Sequence, residues 1–255
     1  MNIETVLILA AGRGTRLKPY TNNLPKCLLP ISNTNILRNL IEQSEKYLTG
    51  VKIYVNVSYL AEKIINEITN LDINRRPYII WEQNPLGPAL TVTNHCNKIN
   101  GNVLVLHGDL FFSDLTFSQM IYSITQRLEE ASILFCHQRS RQSARSIVNE
   151  TGGVIKSIFE TSISVLAKNI YISDDEVVWS GSGAMVVKSA SLSNFKPEKG
   201  LSIAPTLINY IADHEKLYLE KCNGTRVSID DEKSYLAAIE ISQKSEKLFD
   251  RTLRH

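Results

Sequence analysis

A glycine loop close to the start of the chain constrains this sequence more than any other feature. The apolar run from Val6 to Leu9 predicts a buried strand, and the small residues that follow predict a tight loop. Gly12 and Gly14 lack a Cβ, so the backbone there can turn sharply and present its N–H groups to an anion. A strand that runs into such a loop is typical of α/β proteins that bind phosphate.

Three cations accompany the loop: Arg13, Arg16 and Lys26. An arginine fork pairs with two phosphate oxygens, whereas a lysine supplies a mobile point charge. We therefore predict that this loop is a polyphosphate site. Two common phosphate loops are excluded, because Leu17 stands where the dinucleotide fingerprint has its third small residue and no P-loop tripeptide occurs.

Apolar strands alternate with amphipathic helices through the first half of the chain. The predicted strands are 6–9, 51–57, 78–81 and 103–107, and the predicted helices are 36–48, 60–68 and 89–99. We expect Asn33 or Thr34 to cap the first helix. Strands separated by helices indicate an α/β fold with a doubly wound, mostly parallel sheet.

The second half of the chain is less regular. It predicts strands at 154–159, 177–187, 217–222 and 226–229, and helices at 203–211 and from 232 onward. We predict one domain over 1–250, with a small inserted β-rich lobe at roughly 138–200 and a tail at 251–255.

Asp109 follows the apolar strand 103–107, directly after Gly108. Ligands of doubly wound sheets collect outside the carboxyl ends of the strands, so Asp109 and the glycine loop should share one crevice. A carboxylate that faces a basic loop suits Mg²⁺, which takes one or two carboxylates together with substrate phosphates. The alternative is an ordinary turn aspartate.

Two blocks of the first thirty residues resemble a known signature. Leu9–Thr21 and Leu24–Pro30 are similar to L-A-A-G-x-G-T-R-L-x-P-x-T and L-P-K-x-L-x-P, which mark the nucleotidyltransferases that activate sugar phosphates. The resemblance implies a Rossmann-like nucleotidyltransferase fold, Mg²⁺ as cofactor, and Lys26, Arg16 and Asp109 as catalytic residues. The nucleotide-binding residues that it implies in the loop are Leu9, Ala10, Ala11, Gly12, Arg13, Gly14, Thr15 and Arg16.

The resemblance also implies a second metal-binding carboxylate near the end of the chain. Aligned with the family pattern V-D-T-P-E-D-Y, the metal position is Asp230. Aligned with the variant W-x-D-V-G-T-P, it is Ser228, a poor ligand. We expect Asp230, with Asp231 next, and helix capping as the alternative role for either aspartate.

A turn and a lobe complete the implied binding surface. The segment from Glu82 to Gly87 resembles the family's base-recognition turn, which makes Gln83 and Gly87 candidate base contacts; a simple tight turn is the alternative. In the lobe, Gly152, Glu160 and Gly183 are the implied acceptor contacts.

The chain departs from the family after Glu160, where Thr161 stands in place of a lysine that binds the acceptor phosphate. Either Arg139, Arg141 or Arg145 replaces that cation, or the acceptor is not an ordinary hexose 1-phosphate.

The implied reaction joins an NTP to a phosphorylated small molecule, most simply a sugar 1-phosphate for a surface polysaccharide, with release of pyrophosphate. One alternative is a cytidylyltransferase acting on a non-sugar phosphate, such as phosphocholine or an amide-linked phosphate. Another is a non-catalytic paralogue that binds a nucleotide sugar and regulates a partner enzyme, although Arg16, Lys26 and Asp109 are all present.

Composition and charge limit the partners and the cellular compartment that we expect for this protein. The net charge of +2 over 255 residues argues against a broad nucleic-acid or membrane surface. The four cysteines are widely spaced, which favours free, buried thiols in a reducing compartment. A strand begins almost at once, which leaves no room for a signal peptide, and no apolar run approaches a membrane span. We expect a cytoplasmic protein without nucleic-acid or membrane partners, and a homo-oligomer is left open.

Overall fold

The computed structural model describes residues 1–127, 131–161 and 176–252. Its contacts divide the chain into two compact units. The N-terminal unit contains Thr5–Pro85, Leu106–Thr125 and the described residues from Gly224 on. The middle unit contains Met1–Glu4, Leu86–Val105 and the described residues of Gln126–Asn223. Segments from both ends of the sequence therefore build the N-terminal unit.

The described strands and helices follow one another along the chain. In order they are β1 (Thr5–Leu9), β2 (Pro30–Ile31), β3 (Thr34–Asn35), α1 (Ile36–Tyr47), β4 (Lys52–Val57), α2 (Ala61–Thr69), β5 (Tyr78–Trp81), α3 (Pro88–Cys96), β6 (Asn102–His107), β7 (Leu110–Phe112), α4 (Asp114–Thr125), β8 (Ser132–Ser140), β9 (Ser146–Thr151), β10 (Val154–Glu160), β11 (Val177–Lys188), α5 (Asn209–His214), β12 (Leu217–Lys221), β13 (Arg226–Ser228) and α6 (Glu232–Thr252).

Three parallel strands form the base of the N-terminal unit, in the order β5-β4-β1. Thr5 of β1 pairs with Lys52 of β4, and Leu9 pairs with Asn56. Because the strands are parallel, their carboxyl ends meet at one edge, from which the glycine loop leaves. The predicted α/β class with a largely parallel sheet is confirmed.

Helix α1 begins at Ile36, as the sequence predicts, but the residue that caps it differs from the prediction. The cap is Asn35, whose side-chain oxygen accepts from the N–H of Arg38 at 2.9 Å, rather than Asn33 or Thr34. The reason is the short hairpin of β2 and β3, in which Thr34 and Asn35 pair with Ile31 and Pro30. Extended backbone at Thr34 leaves Asn35 to supply the capping oxygen.

The middle unit has a mixed sheet in the order β11-β8-β12-β10-β9. Strand β8 is antiparallel to β11 and parallel to β12, and β9 and β10 form a hairpin. Gly152 and Gly153 make the hairpin turn, both with positive φ, a conformation that glycine adopts without strain. The lobe predicted at 138–200 lies within this unit and stays a prediction; its residues 162–175, like 253–255 of the predicted tail, lie outside the described residues.

Several described elements differ from the sequence predictions, among them the short strands β2, β3, β7 and β9, which were not predicted. Helix α4 and strand β8 were not predicted: the exposed Leu115 and Tyr122 blur the apolar face of α4, and β8 changes from buried to alternating after Cys136. The segment predicted to be helical at 203–211 is helical, but its first part, Ile203–Ile208, is a π-helix that leads directly into α5. Pro205 lies in the first turn of that segment, where its missing N–H breaks no helical hydrogen bond.

All four cysteines are buried and free, as predicted. Burial raises the pKa of Cys27, next to Lys26, to about 12, so its thiol stays protonated. Among the described helices, none combines the length and the apolar character that crossing a bilayer demands.

Candidate active site

The loop after β1 depends on one glycine in particular. Gly14 has φ +61°, and a Cβ there would lie 2.9 Å from the Cβ of Lys26. Thr21 fixes the same turn, since its hydroxyl donates to the Gly14 carbonyl at 2.8 Å. Gly12 differs, because its φ is not positive and a Cβ would meet nothing within 4 Å. Gly14 is therefore required by the loop itself, whereas Gly12 leaves open space.

The predicted nucleotide-binding residues lie together along this loop. Ala10 is buried; Leu9, Ala11 and Gly14 are half-buried; Gly12, Arg13, Thr15 and Arg16 are exposed. The loop therefore offers exposed backbone and two exposed guanidinium groups at the carboxyl end of a buried strand.

Four predicted residues meet in a charged cluster, the lysine–aspartate cluster of Lys26, Asp109, Asp230 and Arg16. The Lys26 ammonium donates to Asp109 Oδ2 at 2.7 Å and to Asp230 Oδ1 at 3.3 Å. Arg16 donates to the same Asp230 oxygen at 3.1 Å. The side chains of Lys26 and Asp230 are 14% and 7% exposed, whereas that of Arg16 is 65% exposed. The central lysine is thus held between two carboxylates in a largely desolvated place.

Backbone contacts fix Asp109 relative to the glycine loop. The Gly108 N–H donates to the Leu9 carbonyl at 2.9 Å, and a Cβ on Gly108 would lie 2.5 Å from that oxygen. Only glycine permits this approach of the two strand ends. The Ile229 N–H donates to the Asp109 carbonyl at 2.9 Å, which brings Asp230 to the same edge.

The structure gives different surroundings to the three candidates for the second metal-binding position. Asp230 lies in the cluster, and the Ser228 hydroxyl donates to its Oδ2 at 2.9 Å. Asp231 is exposed and accepts from the Ser234 N–H at 2.9 Å, which is the geometry of a cap on α6. Ser228 therefore orients Asp230, and Asp231 stabilises the helix start.

His107 lies beside the cluster as the last residue of β6. Burial lowers its pKa; Asp109 and Asp230 oppose that effect, and Arg226 and Lys26 add to it. The imidazole is therefore neutral near pH 7, and it adds no further charge to the cluster.

A buried polar relay that the sequence analysis missed supports the loop. The Ala10 N–H donates to Asn56 Oδ1 at 2.7 Å, and Asn56 Nδ2 donates to Glu82 Oε1 at 3.1 Å. Asn56 is 3% exposed and Glu82 6%. The Glu82 carboxylate orients the Asn56 amide, and that amide in turn holds Ala10, the first residue of the loop. The signal in the sequence was a polar residue within the apolar run of β4.

The two candidate base contacts fall in different units. Gln83 is exposed and directly follows Glu82 in the N-terminal unit. Gly87 begins α3 in the middle unit, with φ +91°, and a Cβ there would lie 2.7 Å from the Gly200 Cα. The packing against Gly200 by itself requires a glycine at this position.

The candidate acceptor residues are spread over the middle unit. Gly152 lies in the turn before β10, whereas Glu160 is the exposed last residue of that strand. A strand of seven residues spans roughly 20 Å, so the structure does not bring these two together. Gly183, with φ +80°, lies where the pairing of β11 with β8 shifts register.

The three upstream arginines have different surroundings. Arg139 donates to His137 at 2.6 Å, and Arg141 pairs with Glu176 at 3.1 Å. Arg145 lies opposite Thr161, whose N–H donates to the Arg145 carbonyl at 3.0 Å. Directly opposed residues of an antiparallel pair lie on one face, so Arg145 is the arginine next to Thr161.

The donor set of the cluster fits Mg²⁺. Asp109 and Asp230 provide carboxylate oxygens, which are the hard ligands that Mg²⁺ takes one or two of when phosphates complete its shell. Within residues 1–127, 131–161 and 176–252, no group of three or more histidine, cysteine, aspartate or glutamate side chains is placed to hold a metal.

Comparison with known proteins places the chain in a family. The profile described as "Nucleotidyl transferase" matches residues 5–160. The bifunctional protein GlmU of Methanococcus maripaludis is 39% identical over 108 residues, which are 42% of this chain and 25% of that protein. This chain thus spans about a quarter of the length of that relative.

Solved structures resemble the fold over most of its length. HddC from Yersinia pseudotuberculosis complexed with GMP-PN has a TM-score of 0.72 and 22% identity, covering 93% of this chain and 99% of that one. A candidate glucose-1-phosphate thymidylyltransferase from Bacillus anthracis, complexed with sucrose, has a TM-score of 0.75 and 17% identity, covering 93% and 94%. With the profile match over more than half of its residues, the chain belongs to the nucleotidyl transferase family.

Proposed function

We propose that this chain is a Mg²⁺-dependent nucleotidyltransferase that moves a nucleoside monophosphate from an NTP to a phosphorylated acceptor. The observation that supports this best is the placement of Lys26 between Asp109 and Asp230, beside the exposed glycine loop. The names of the relatives favour a sugar 1-phosphate as acceptor, and HddC was crystallised with GMP-PN. A nucleotide sugar for surface polysaccharide, made in the cytoplasm, is the product that we propose.

Positioning and electrostatic stabilisation perform most of the work in such a transfer. Arg16 and the loop N–H groups hold the β- and γ-phosphates, and the Lys26 ammonium neutralises charge that develops at the α-phosphate. An oxygen of the acceptor phosphate attacks the α-phosphorus, and the bond from that phosphorus to the bridging oxygen breaks as pyrophosphate leaves. No general base is needed, because the acceptor phosphate is already ionised at neutral pH.

Asp109 and Asp230 are the residues that would hold the metal. When bound, Mg²⁺ supplies positive charge against the phosphate oxygens. Ser228 keeps Asp230 in orientation through its 2.9 Å hydrogen bond, and the Ile229–Asp109 backbone bond keeps the two carboxylates at one edge. The residues therefore provide a prepared anionic pair for the ion and a lysine for the substrate.

Arg145 is our candidate for the cation on the acceptor phosphate. It lies opposite Thr161, the position at which the family resemblance implies a lysine. With Arg145 as the cation, the positive charge expected at position 161 comes from the chain segment opposite, and the site still suits the phosphate of a sugar 1-phosphate. The same departure at Thr161 favours a second candidate, a cytidylyltransferase that acts on a non-sugar phosphate.

The test is pyrophosphate release with Mg²⁺ from each of four NTPs, offered with a panel of sugar 1-phosphates, phosphocholine and other small phosphates. Release with one sugar 1-phosphate pair supports the first candidate, and release with CTP and phosphocholine supports the second. NTP binding without release from any pair contradicts both and favours the regulatory alternative. An Arg145→Gln variant should raise the KM for the acceptor at least about tenfold and leave that for the NTP unchanged.

A further inference from the structure

A basic cavity lies in the N-terminal unit, away from the lysine–aspartate cluster. It has a volume of about 610 Å³, and its basic lining residues are Lys52, Arg75 and Arg76. Lys52 is the first residue of β4 and pairs with Thr5, the first residue of β1. The glycine loop leaves β1 at its other end, so the length of that strand, roughly 15 Å, separates the two places.

One arginine of this cavity is held in place. The Arg75 Nη1 donates to the Gly50 carbonyl at 3.0 Å, and the Arg75 backbone N–H donates to Glu45 Oε1 at 3.1 Å. Gly50 has φ +81°, which turns its carbonyl toward the arginine without strain. A guanidinium has five N–H donors, so one bond to a carbonyl orients the fork while most of its donors stay directed elsewhere.

The charge balance of the cavity favours an anion. Lys52, Arg75 and Arg76 face a single carboxylate among the lining residues, that of Glu45, and this carboxylate accepts from the Arg75 backbone. The volume lies within the range of small-molecule sites, roughly 300–1,000 Å³. Two arginines and a lysine are the donors typical of phosphate recognition.

An aromatic ring adds a flat surface beside these cations. Tyr78 lines the cavity and stacks on Tyr54, with ring centroids 4.9 Å apart and 22° between the planes. It is nevertheless 53% exposed, so half of the residue remains accessible. A ring held on one side and accessible on the other can contact a sugar or a base next to a bound phosphate.

We propose that this cavity is a second binding site, specific for a small phosphate-bearing molecule, at the amino ends of β4 and β5. It is independent of the proposed transfer reaction, since none of its lining residues belongs to the glycine loop or to the lysine–aspartate cluster. The phosphate pairs with Arg75, Arg76 and Lys52, and Tyr78 contacts the part of the ligand that carries it.

The test is calorimetric titration of pyrophosphate and of AMP, without Mg²⁺, into the full chain. In the wild type, each titration should contain a component that reports binding at this cavity. The double variant Arg75→Gln/Arg76→Gln should weaken that binding at least tenfold. Lys98→Gln, which removes an exposed lysine elsewhere, should leave that component unchanged. Lys26→Ala should also leave it unchanged, because the residues of the cavity are not disturbed. Tighter binding of AMP than of pyrophosphate assigns a ring contact to Tyr78, and equal or weaker binding assigns the affinity to the phosphate alone.

Binding of both probes that is the same in the double variant as in the wild type would overturn the proposal, as would the absence of any component that survives Lys26→Ala. Circular dichroism of the double variant checks that the fold is intact, which is expected for exposed side chains. Pyrophosphate release by the double variant separates this proposal from the proposed function. If the double variant loses binding at the cavity but releases pyrophosphate at the wild-type rate, the second site is supported. If the wild type releases no pyrophosphate with any substrate pair, only the proposed transferase function is contradicted.

Discussion

Asp230 and Asp231 offer a matched pair of substitutions, because neighbouring aspartates have different surroundings. Asp230→Asn removes the charge that Lys26 and Arg16 share, at a side chain that is only 7% exposed. A charge-assisted hydrogen bond to a partly buried lysine is worth about 1.5–3 kcal/mol, and the exposed Arg16 adds little. We expect the free energy of unfolding to fall by about 2 kcal/mol.

The effect of Asp230→Asn on turnover should be larger than its effect on stability. Losing one preorganised electrostatic contact at a reacting phosphate costs about 100- to 1,000-fold in rate, or about 3–4 kcal/mol. Asp231→Asn keeps an oxygen for the Ser234 N–H, and asparagine caps helices as well as aspartate does. Turnover of that variant should stay within about twofold of the wild type.

Pyrophosphate release at saturating Mg²⁺ and across an Mg²⁺ titration measures both variants, with thermal melts alongside. If Asp231→Asn loses as much turnover as Asp230→Asn, the assignment of cluster and cap is wrong. If Asp230→Asn keeps wild-type turnover and an unchanged Mg²⁺ response, Asp230 is a structural partner of Lys26 and not a metal ligand.

Three further predictions concern the supporting structure. Gly14→Ala should cost about 2 kcal/mol in a denaturant melt, because its φ is positive and its Cβ position is occupied, whereas Gly12→Ala should cost less than about 0.5 kcal/mol; equal losses contradict the loop geometry. Asn56→Asp should lower the free energy of unfolding by about 3 kcal/mol, because it places two buried carboxylates next to each other. Adding Glu82→Gln should restore at least about 1 kcal/mol. If the effects of the two substitutions simply add in the double variant, the two side chains do not interact and the relay is wrong. Burial lowers the pKa of His95 from 6.5 to about 4, so between these pH values the unfolded chain binds a proton that the folded chain does not. The neutral imidazole therefore contributes up to about 3 kcal/mol to the free energy of unfolding, fully above pH 6.5 and progressively less as the pH falls toward 4. Thermal melts of His95→Gln should show a flatter dependence of stability on pH in that range.

Local sequence signals predicted the elements around the site well. The run before Leu9 is fully buried, and the strand at Tyr78–Trp81 was predicted to the residue. Gly14 was predicted to permit a sharp turn, and its positive φ confirms the conformation. These signals succeed because a strand end followed by glycines has few alternative conformations.

Contacts between distant segments were beyond such reasoning. Lys26 and Asp230 are 204 positions apart. They meet because β13 pairs with β7 and the Ile229–Asp109 backbone bond continues that pairing. The roles of Ser228 and Asp231 likewise depend on side-chain contacts that the correctly predicted helix start at 232 does not specify. Asn56 was missed because a polar residue in a strand has no visible partner until the neighbouring strand is in place.

The measurement that tests the central claim most directly follows both ends of the triphosphate. The NTP and acceptor found by the panel would be supplied with label on the α-phosphate in one reaction and on the γ-phosphate in another. A nucleotidyltransferase puts the α-label into the activated product and the γ-label into pyrophosphate, and Lys26→Ala should lower both signals by at least about 100-fold. Appearance of the γ-label on the acceptor would instead mean a kinase reaction, and unchanged transfer by Lys26→Ala would remove the lysine–aspartate cluster from the mechanism.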